Sequence, residues 1–169
     1  LYWNSKDETS PPRIYFSNRE RLICLNAKNG ELIKKFGGDG QIRTGLNVMT
    51  PVIFKDNIII VSWDHAVEVY DLETGKTKWK LKYKKDISKR VGSKKFKNTG
   101  YNPWGGISLD DKRGILFFTT GNPHSYFDGT QRPGKNQPGN SVIAVDLIKR
   151  KIIWSFQETS HDIWNSDLP

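Results

Sequence analysis

The stretch NIIIVSWDHAVEVYDLETGKTKW, residues 57–79, decides the fold class. Two apolar runs are separated by a short polar turn, and an Asp-led turn then leads into a third, alternating run that ends on Trp79. Apolar runs of this length, bounded by turn residues, are typical of antiparallel strands. The side-chain oxygen of Asp71 can cap the amides of its turn, and Gly75 supplies the positive φ that such a turn requires.

The same order of strand, turn, strand, Asx-led turn and strand recurs on either side of this stretch. Asn26 leads the equivalent turn in the first unit, and Asp146 precedes Trp154 by the same eight residues that separate Asp71 from Trp79. Recurrence at about 40–50 residues with about four short strands per unit is the signature of a β-propeller.

We therefore predict an all-β fold, a partial β-propeller of about three four-stranded antiparallel blades. The chain is predicted to be a single partial domain, with blade units of approximately 13–50, 51–102 and 103–169. A β-sandwich with accidental similarity is the alternative. Residues 37–50 are Gly-rich and are interpreted as a connection between blades, and residues 84–102 as a basic loop.

Composition excludes several classes of protein. The 169 residues correspond to about one domain, and no apolar run approaches the length of a membrane-spanning helix. A single cysteine, Cys24, excludes an internal disulfide framework, and no spacing of Cys or His suggests structural zinc. Because the sequence starts at Leu1 without a charged leader, we expect an excised piece rather than a natural N-terminus.

The net charge of +9 is concentrated in residues 76–97, which hold eleven Lys and Arg against one acid. From Lys76 to Lys84 the lysines alternate strictly with other residues, so one face of a strand would carry ammonium groups. Such a face could bind nucleic acid or anionic lipid. The interpretation we favour is a solvated face that protects a sheet edge. No nucleic-acid fold signature is present, and nucleic acid is not predicted as a partner.

Three short motifs in the second half of the chain carry a family resemblance. They are Asn102-Pro103-Trp104-Gly105-Gly106, Thr120-Gly121-Asn122-Pro123 and His161-Asp162-Ile163-Trp164-Asn165. Together with the Asx-led turns, they resemble the quinoprotein dehydrogenases, which use pyrroloquinoline quinone (PQQ). Residues 13–40 and 161–169 look most like the membrane-bound glucose dehydrogenase branch of that family.

The resemblance implies an eight-bladed propeller with PQQ and Ca²⁺, or Mg²⁺ in the glucose branch, in its central channel. Trp104 matches the tryptophan on whose face the quinone lies, and Asn122 matches an amide ligand of the metal. Ser62 lies near a position that contacts the cofactor. The alternatives are that Trp104 is a core aromatic residue and that Asn122 belongs to a turn before Pro123. The family's metal-ligating Glu has no counterpart here.

The largest departure from the family pattern is Asn165. At this position the family has the Asp that accepts the substrate's hydroxyl proton, and an amide cannot do so at neutral pH. Asp162 matches the preceding, usually structural, Asp, and with Asn165 it is a candidate catalytic residue; Asp167 also lies close in sequence. Either the base is supplied differently, or the protein binds without turning over. His161 is interpreted as holding a loop by hydrogen bonds, with a catalytic role as the alternative.

The resemblance predicts a fragment of a PQQ-dependent dehydrogenase that oxidises a sugar or an alcohol by metal-assisted hydride transfer. The fragment alone is expected to be inactive. The predicted partners are the substrate and a quinone or cytochrome acceptor, in the periplasm, with any membrane anchor outside this chain. The alternatives are a non-catalytic PQQ-like repeat scaffold and a polyanion-binding β-protein. Residues 122–139 form an insertion that is predicted to lie over the channel mouth.

Overall fold

A computed structural model describes residues 1–4, 10–84, 89–91, 94–96 and 100–165, with the backbone alone described at 89–91 and 94–96. Regular structure in these ranges is almost entirely β, with one short 3-10 turn at Gly129–Gln131. The strands are β1 (Tyr2–Trp3), β2 (Arg13–Asn26), β3 (Gln41–Asn47), β4 (Val52–Phe54), β5 (Asn57–Ser62), β6 (Ala66–Asp71), β7 (Thr77–Lys82), β8 (Lys89–Val91), β9 (Lys94–Phe96), β10 (Ile107–Asp110), β11 (Ile115–Thr120), β12 (Ser141–Asp146) and β13 (Lys151–Gln157).

The strands form sheets in which sequence neighbours are also spatial neighbours. Their orders are β1-β2-β3, β4-β5-β6-β7, β8-β9 and β10-β11-β12-β13. The chain divides into two compact units, Leu1–Leu81 and Lys82–Pro169, and each is described by itself. The predicted division into three blade units stays a prediction. In the described ranges, no helix has the length and hydrophobicity needed to cross a membrane.

Asx-led turns join the strands where the sequence predicts them. Oδ1 of Asn26, Asp71 and Asp146 each accepts a hydrogen bond of 2.9 Å from a backbone N–H two or three residues later. Gly30 and Gly75 adopt φ of 76° and 72°, in the left-handed region that glycine enters without steric cost. The turn chemistry is therefore local, which is why the sequence alone reveals it.

The core of the first unit lies between its two sheets. Its fully or almost fully buried members are Tyr15, Leu22, Cys24, Phe36, Ile58, Ile60, Tyr70 and Leu72. The Tyr15 ring meets the Phe36 ring edge-on at 5.6 Å between centroids, and the Tyr15 hydroxyl donates to the Leu72 carbonyl at 2.8 Å. The buried guanidinium of Arg13 adds an ion pair to Glu73 at 2.9 Å. Apolar burial and these polar contacts together join the two sheets.

Residues 37–50 are not only a connection between blades, and the interpretation of this segment as a Gly-rich link is wrong for residues 41–47. Strand β3 occupies Gln41–Asn47 and pairs antiparallel with β2. Gly45 lies inside it because a neighbouring side chain comes too close for a Cβ. A Cβ at this position would lie 2.5 Å from Oε1 of Glu68 and 2.7 Å from Oδ2 of Asp64. Glycine in this strand marks close approach, not a loop.

Glu68 is a buried carboxylate at the centre of the first unit, with 1% of its surface exposed. Its Oε2 accepts hydrogen bonds from the Tyr70 hydroxyl and from the backbone N–H of Gly45, and lies 2.8 Å from Nζ of Lys80. Burial raises the pKa of Glu68, but hydrogen bonds from Lys80, Tyr70 and Ser62 outweigh burial and place the pKa below its ordinary value.

The lysine-striped strand β7 is the edge of its sheet. Trp79 and Leu81 are half-buried, whereas the lysines between and beside them are exposed, so the predicted alternation is present. Lys80 pairs with Glu68, and Lys78 pairs with Asp71 at 3.2 Å. Part of the stripe therefore balances acids of the neighbouring strand β6.

The basic segment 84–102 is also more ordered than predicted. Within its described residues, β8 and β9 pair antiparallel, with Lys89 opposite Phe96 and Val91 opposite Lys94. The prediction of a loop is therefore wrong for these two short strands. Other lysines of this segment, Lys85 and Lys97 among them, lie outside the described residues.

The contact between Gly45 and Glu68 gives a test of the packing in this unit. Gly45→Ala is expected to lower the free energy of unfolding by about 2–3 kcal/mol, because the added methyl must displace the buried carboxylate of Glu68. Gly30→Ala is the control: its Cβ meets open space, so it should cost only about 1 kcal/mol for its left-handed φ. Urea denaturation measures both. Equal losses in the two variants would contradict this account of β3.

Glu68 also predicts a pH dependence. A carboxyl whose pKa is lowered on folding stabilises the protein above its ordinary pKa of 4.5, and this stabilisation is lost as the pH falls through the folded value. In urea denaturation from pH 7 to pH 3, Glu68→Gln should therefore unfold earlier than the unsubstituted protein at pH 7, with the gap narrowing toward pH 3. The exposed Glu158→Gln is the control, and a gap that does not change with pH would refute the assignment.

Candidate functional site

Two segments of the second unit meet at the end of strand β11. The backbone N–H of Tyr101 donates to the carbonyl of Asn122, and the N–H of Gly121 donates to the carbonyl of Asn102, both at 3.1 Å. These bonds place the segment that carries Trp104 directly beside Asn122. Two of the sequence motifs, distant along the chain, therefore form one local structure.

Trp104 packs its edge against glycine and leaves half of its surface exposed. A Cβ on Gly121 would lie 2.7 Å from Nε1 of the indole, so only glycine permits this approach. The side chain is 49% exposed, which is unusual for a tryptophan held in place by backbone contacts. A rigid, flat, accessible apolar face is suited to stacking against a planar ring system.

Asn122 is buried, with 7% of its surface exposed, and its side-chain Nδ2 and Oδ1 differ in their hydrogen bonding. Nδ2 donates to Oδ2 of Asp162 at 3.1 Å and to Oδ1 of Asn165 at 2.7 Å. Oδ1 has no hydrogen-bond partner in the described part of the chain. A buried carbonyl oxygen without a partner is costly, and a cation or a donor group would satisfy it.

Asp162 gathers this site from three places in the chain. Its side chain is almost fully buried, and Oδ2 accepts hydrogen bonds from Nδ2 of Asn122 and from Nδ2 of Asn140, the latter at 3.4 Å. Oδ1 accepts from the backbone N–H of Trp164 at 3.2 Å. Both carboxylate oxygens of Asp162 therefore already accept hydrogen bonds, and the candidate catalytic role of this residue stays a prediction.

Asn165 lies within this cluster, with a left-handed φ of 53°. Its Oδ1 faces Nδ2 of Asn122, so the side chain expected at the position of the proton acceptor is in contact with the candidate metal ligand. Asp167, the other nearby acid of the sequence, lies outside the described residues. The structure thus brings Asn122, Asp162 and Asn165 together, with Trp104 beside them.

Ser62 belongs to the other unit, and the structure gives it a local environment only. It ends strand β5, is fully buried, and its hydroxyl lies 3.4 Å from the Ala66 carbonyl across the β5–β6 turn. It also supports Glu68 by a hydrogen bond. These contacts account for Ser62 without a cofactor, and its predicted cofactor role stays a prediction.

Two further polar residues belong to the site, although no sequence motif assigns a role to either of them. Asn140, which directly follows the insertion, donates from its side chain to Asp162. Arg132 is 4% exposed; Nε donates to the Ser125 carbonyl at 3.1 Å and Nη2 donates to the Asp162 carbonyl. The available signal for Arg132 was weak: it is one of two strongly basic residues, with Lys135, in a stretch rich in Pro, Gly and Asn.

His161 holds the insertion, as the sequence analysis proposed. Its Nε2 lies 2.8 Å from the carbonyl of Gly129. Within the described ranges, no group of three or more His, Cys, Asp or Glu side chains is arranged to hold a metal ion. The oxygen donors of a metal site here would therefore have to include amides, which Asn122 and Asn165 supply and which hard cations such as Ca²⁺ accept.

Comparison with known proteins identifies similar chains. The model of the glucose/ethanol/alcohol dehydrogenase β-propeller domain of the PQQ family matches residues 1–169. Quinoprotein glucose dehydrogenase A of Acinetobacter calcoaceticus is 26% identical over 195 residues, covering 100% of this chain and 24% of that protein. Methanol dehydrogenase [cytochrome c] subunit 1 of Methylobacterium organophilum is 26% identical over 194 residues, covering 97% and 30%.

Solved structures agree on the fold. Quinohemoprotein alcohol dehydrogenase from Comamonas testosteroni superposes with a TM-score of 0.66 at 22% identity, covering 90% of this chain and 27% of that one. This likeness confirms the predicted fold class, an all-β partial β-propeller. The chain spans about a quarter to a third of the length of these relatives.

Asp162 gives a test of how the site is held. Asp162→Ala removes a buried acceptor from Asn122, Asn140 and the Trp164 amide, so the free energy of unfolding should fall by about 2–4 kcal/mol. The exposed Asp111→Ala on the β10–β11 turn is the matched control and should change it by less than about 0.5 kcal/mol. Urea denaturation measures both, and similar losses would show that Asp162 does not organise the cluster.

Proposed function

Because the chain belongs to the PQQ family of glucose/ethanol/alcohol dehydrogenase β-propeller domains, we propose that it forms the Trp104–Asn122 sector of a quinoprotein dehydrogenase acting on a sugar or an alcohol. The observation that carries the proposal is the pairing of a half-exposed indole with a buried, unpartnered amide oxygen. The first fits a flat cofactor, and the second fits a metal ion or another electrophilic group.

PQQ would be held on the exposed face of Trp104. The indole cannot move closer to Gly121, because its Nε1 already lies against that backbone. The orientation of the ring is therefore fixed in the absence of a ligand. A preorganised surface lowers the entropic cost of binding a rigid ring. When bound, PQQ supplies the electron-pair acceptor to which the substrate's hydride passes.

Oδ1 of Asn122 would contribute a ligand to Ca²⁺ or Mg²⁺, and Oδ1 of Asn165, which accepts a hydrogen bond from Nδ2 of the same amide, would contribute a second. The unpartnered state of Asn122 Oδ1 supports this assignment, since a hydrogen bond to Asp162 already fixes the orientation of the amide. Which of the two metals is bound depends on ligand number and cavity size, and we favour Ca²⁺ because it tolerates irregular sets of neutral oxygens.

Asn165 is the feature that favours a second function. The amide cannot accept the hydroxyl proton of a substrate at neutral pH, and the Asp162 carboxylate already accepts three hydrogen bonds. The second candidate is therefore a propeller that binds PQQ or a similar ring without turning over, as a binding or assembly scaffold.

The names of the relatives support a proposal for the substrate, the electron acceptor and the cellular compartment. A glucose dehydrogenase and a methanol dehydrogenase that names cytochrome c support a sugar or alcohol substrate and an acceptor that is a quinone or a cytochrome. We place the protein in the periplasm, with any membrane association through parts outside this chain.

The test uses the complete gene product that contains this chain, titrated with PQQ and Ca²⁺ and assayed for dye-linked oxidation of glucose and short alcohols. Trp104→Ala should weaken PQQ binding by about tenfold or more, through the loss of stacking. Trp154→Ala is the matched control because it is 45% exposed on the edge strand β13, and it should stay within about twofold. Absence of PQQ binding by the unsubstituted protein would refute the proposal.

Asn165→Asp then separates the two candidate functions. If the site is catalytic and lacks only its proton acceptor, the carboxylate should raise kcat by about 10²–10⁴-fold, the usual contribution of a positioned base. PQQ affinity should change little, which distinguishes a gain in chemistry from a gain in binding. PQQ binding without turnover in either protein would support the scaffold function.

A further inference from the structure

Arg132 is a buried cation in an insertion that is otherwise exposed along much of its length. Its guanidinium donates through Nε to the Ser125 carbonyl at 3.1 Å and through Nη2 to the Asp162 carbonyl. One side chain therefore links the insertion to the segment 161–165. The residue's own carbonyl accepts from Nδ2 of Asn136 at 2.8 Å. Arg132 is therefore fixed by its backbone as well as by its side chain.

Two further contacts join the insertion to the segment 161–165. His161 Nε2 lies 2.8 Å from the Gly129 carbonyl, and the side chain of Ile163 packs so closely on Gly129 that a Cβ there would overlap it. Together with Arg132, these contacts bracket Asp162 on both sides. The position of Asp162 is thus set by the insertion as well as by its own turn.

Asp162 transmits that position to the candidate metal ligand. Oδ2 of Asp162 accepts from Nδ2 of Asn122, and the same Nδ2 faces Oδ1 of Asn165. A displaced Asp162 would rotate or release the Asn122 amide, and with it the unpartnered Oδ1. The chain of contacts therefore runs from the guanidinium of Arg132, through Asp162, to the oxygen that would bind the metal.

A charged residue is a costly choice for a purely structural link. Nη1 of Arg132 is buried and has no hydrogen-bond partner among the described residues. Leaving part of a guanidinium unsatisfied in the interior costs free energy that a neutral donor such as Gln would avoid. The planar fork of arginine, which reaches two carbonyls at a fixed angle, is what a neutral side chain cannot reproduce.

We propose that Arg132 is a positioning residue for metal binding, which holds Asp162 and thereby orients the oxygen ligand of Asn122. This inference rests on the proposed function, since it concerns the same metal site. A group that is hydrogen-bonded to a metal ligand, as Asp162 is to Asn122, typically contributes 10–100-fold to metal affinity, and Arg132 acts through Asp162. Arg132 itself would touch neither the metal nor the substrate.

The experiment measures metal affinity in the complete gene product without PQQ. Tb³⁺ luminescence sensitised by tryptophan, with competition by Ca²⁺, gives the Kd independently of turnover. Arg132→Met should weaken Ca²⁺ binding by about 10–100-fold, and Arg132→Lys, which keeps the charge but loses the fork, by at least about threefold. Arg113→Met is the matched control, because Arg113 is an exposed arginine paired with Asp110, and its Kd should stay unchanged.

Each outcome decides the matter. An unchanged Kd in both Arg132 variants would overturn the proposal, and so would tighter binding in Arg132→Met, which would make Arg132 a repelling charge. If Arg132→Met does not fold, the Kd of Arg132→Lys decides. The urea midpoint of each metal-free variant is measured alongside, and Kd is determined under conditions in which every compared protein is at least about 95% folded, so that a general loss of structure is not counted. Absence of Ca²⁺ binding in the unsubstituted protein would overturn the metal site and this role together.

Discussion

The carboxylate of Asp162 is buried, and its oxygens accept hydrogen bonds from Asn122, Asn140 and the Trp164 amide, which come from three separate parts of the chain. A buried anion must be compensated in this way or it would destabilise the fold. This requirement brings together Asn122 after the end of β11, Asn140 after the insertion, and the segment 161–165. The candidate site is therefore organised around the hydrogen-bond donors that surround the Asp162 carboxylate.

The first unit uses a buried carboxylate in a different way. Glu68 is compensated by a cation, Lys80, together with Tyr70 and the Gly45 amide, and its function is to join β3 to β6. The Asp162 cluster instead consists largely of amides, and it leaves the Asn122 oxygen unpartnered. A fully paired acid stabilises packing. A cluster with one unsatisfied acceptor, here Oδ1 of Asn122, offers a site for a cation or a hydrogen-bond donor.

Membership of the PQQ family confirms the resemblance that the sequence motifs suggested. It also makes Asn165 the most informative residue of the chain. A single change from carboxylate to amide keeps the size of the side chain and its ability to accept a hydrogen bond from Asn122, but removes its ability to take a proton. Binding geometry and proton transfer are therefore separable at this position.

Local chemistry made much of this protein readable from its sequence. The alternation along β7, the Asx-led turns at Asn26, Asp71 and Asp146, and the motifs around Trp104 and Asn122 each depend on residues close in sequence.

Tertiary structure decided what depends on distant residues. The sequence alone placed Gly45 in a connection between blades. The residue that requires a glycine there, Glu68, is 23 residues away along the chain. Arg132 was seen only as part of an insertion, because its partner Asp162 is 30 residues away. Sequence periodicity reports the conformation of a segment, but the balance of a buried charge depends on which segments meet.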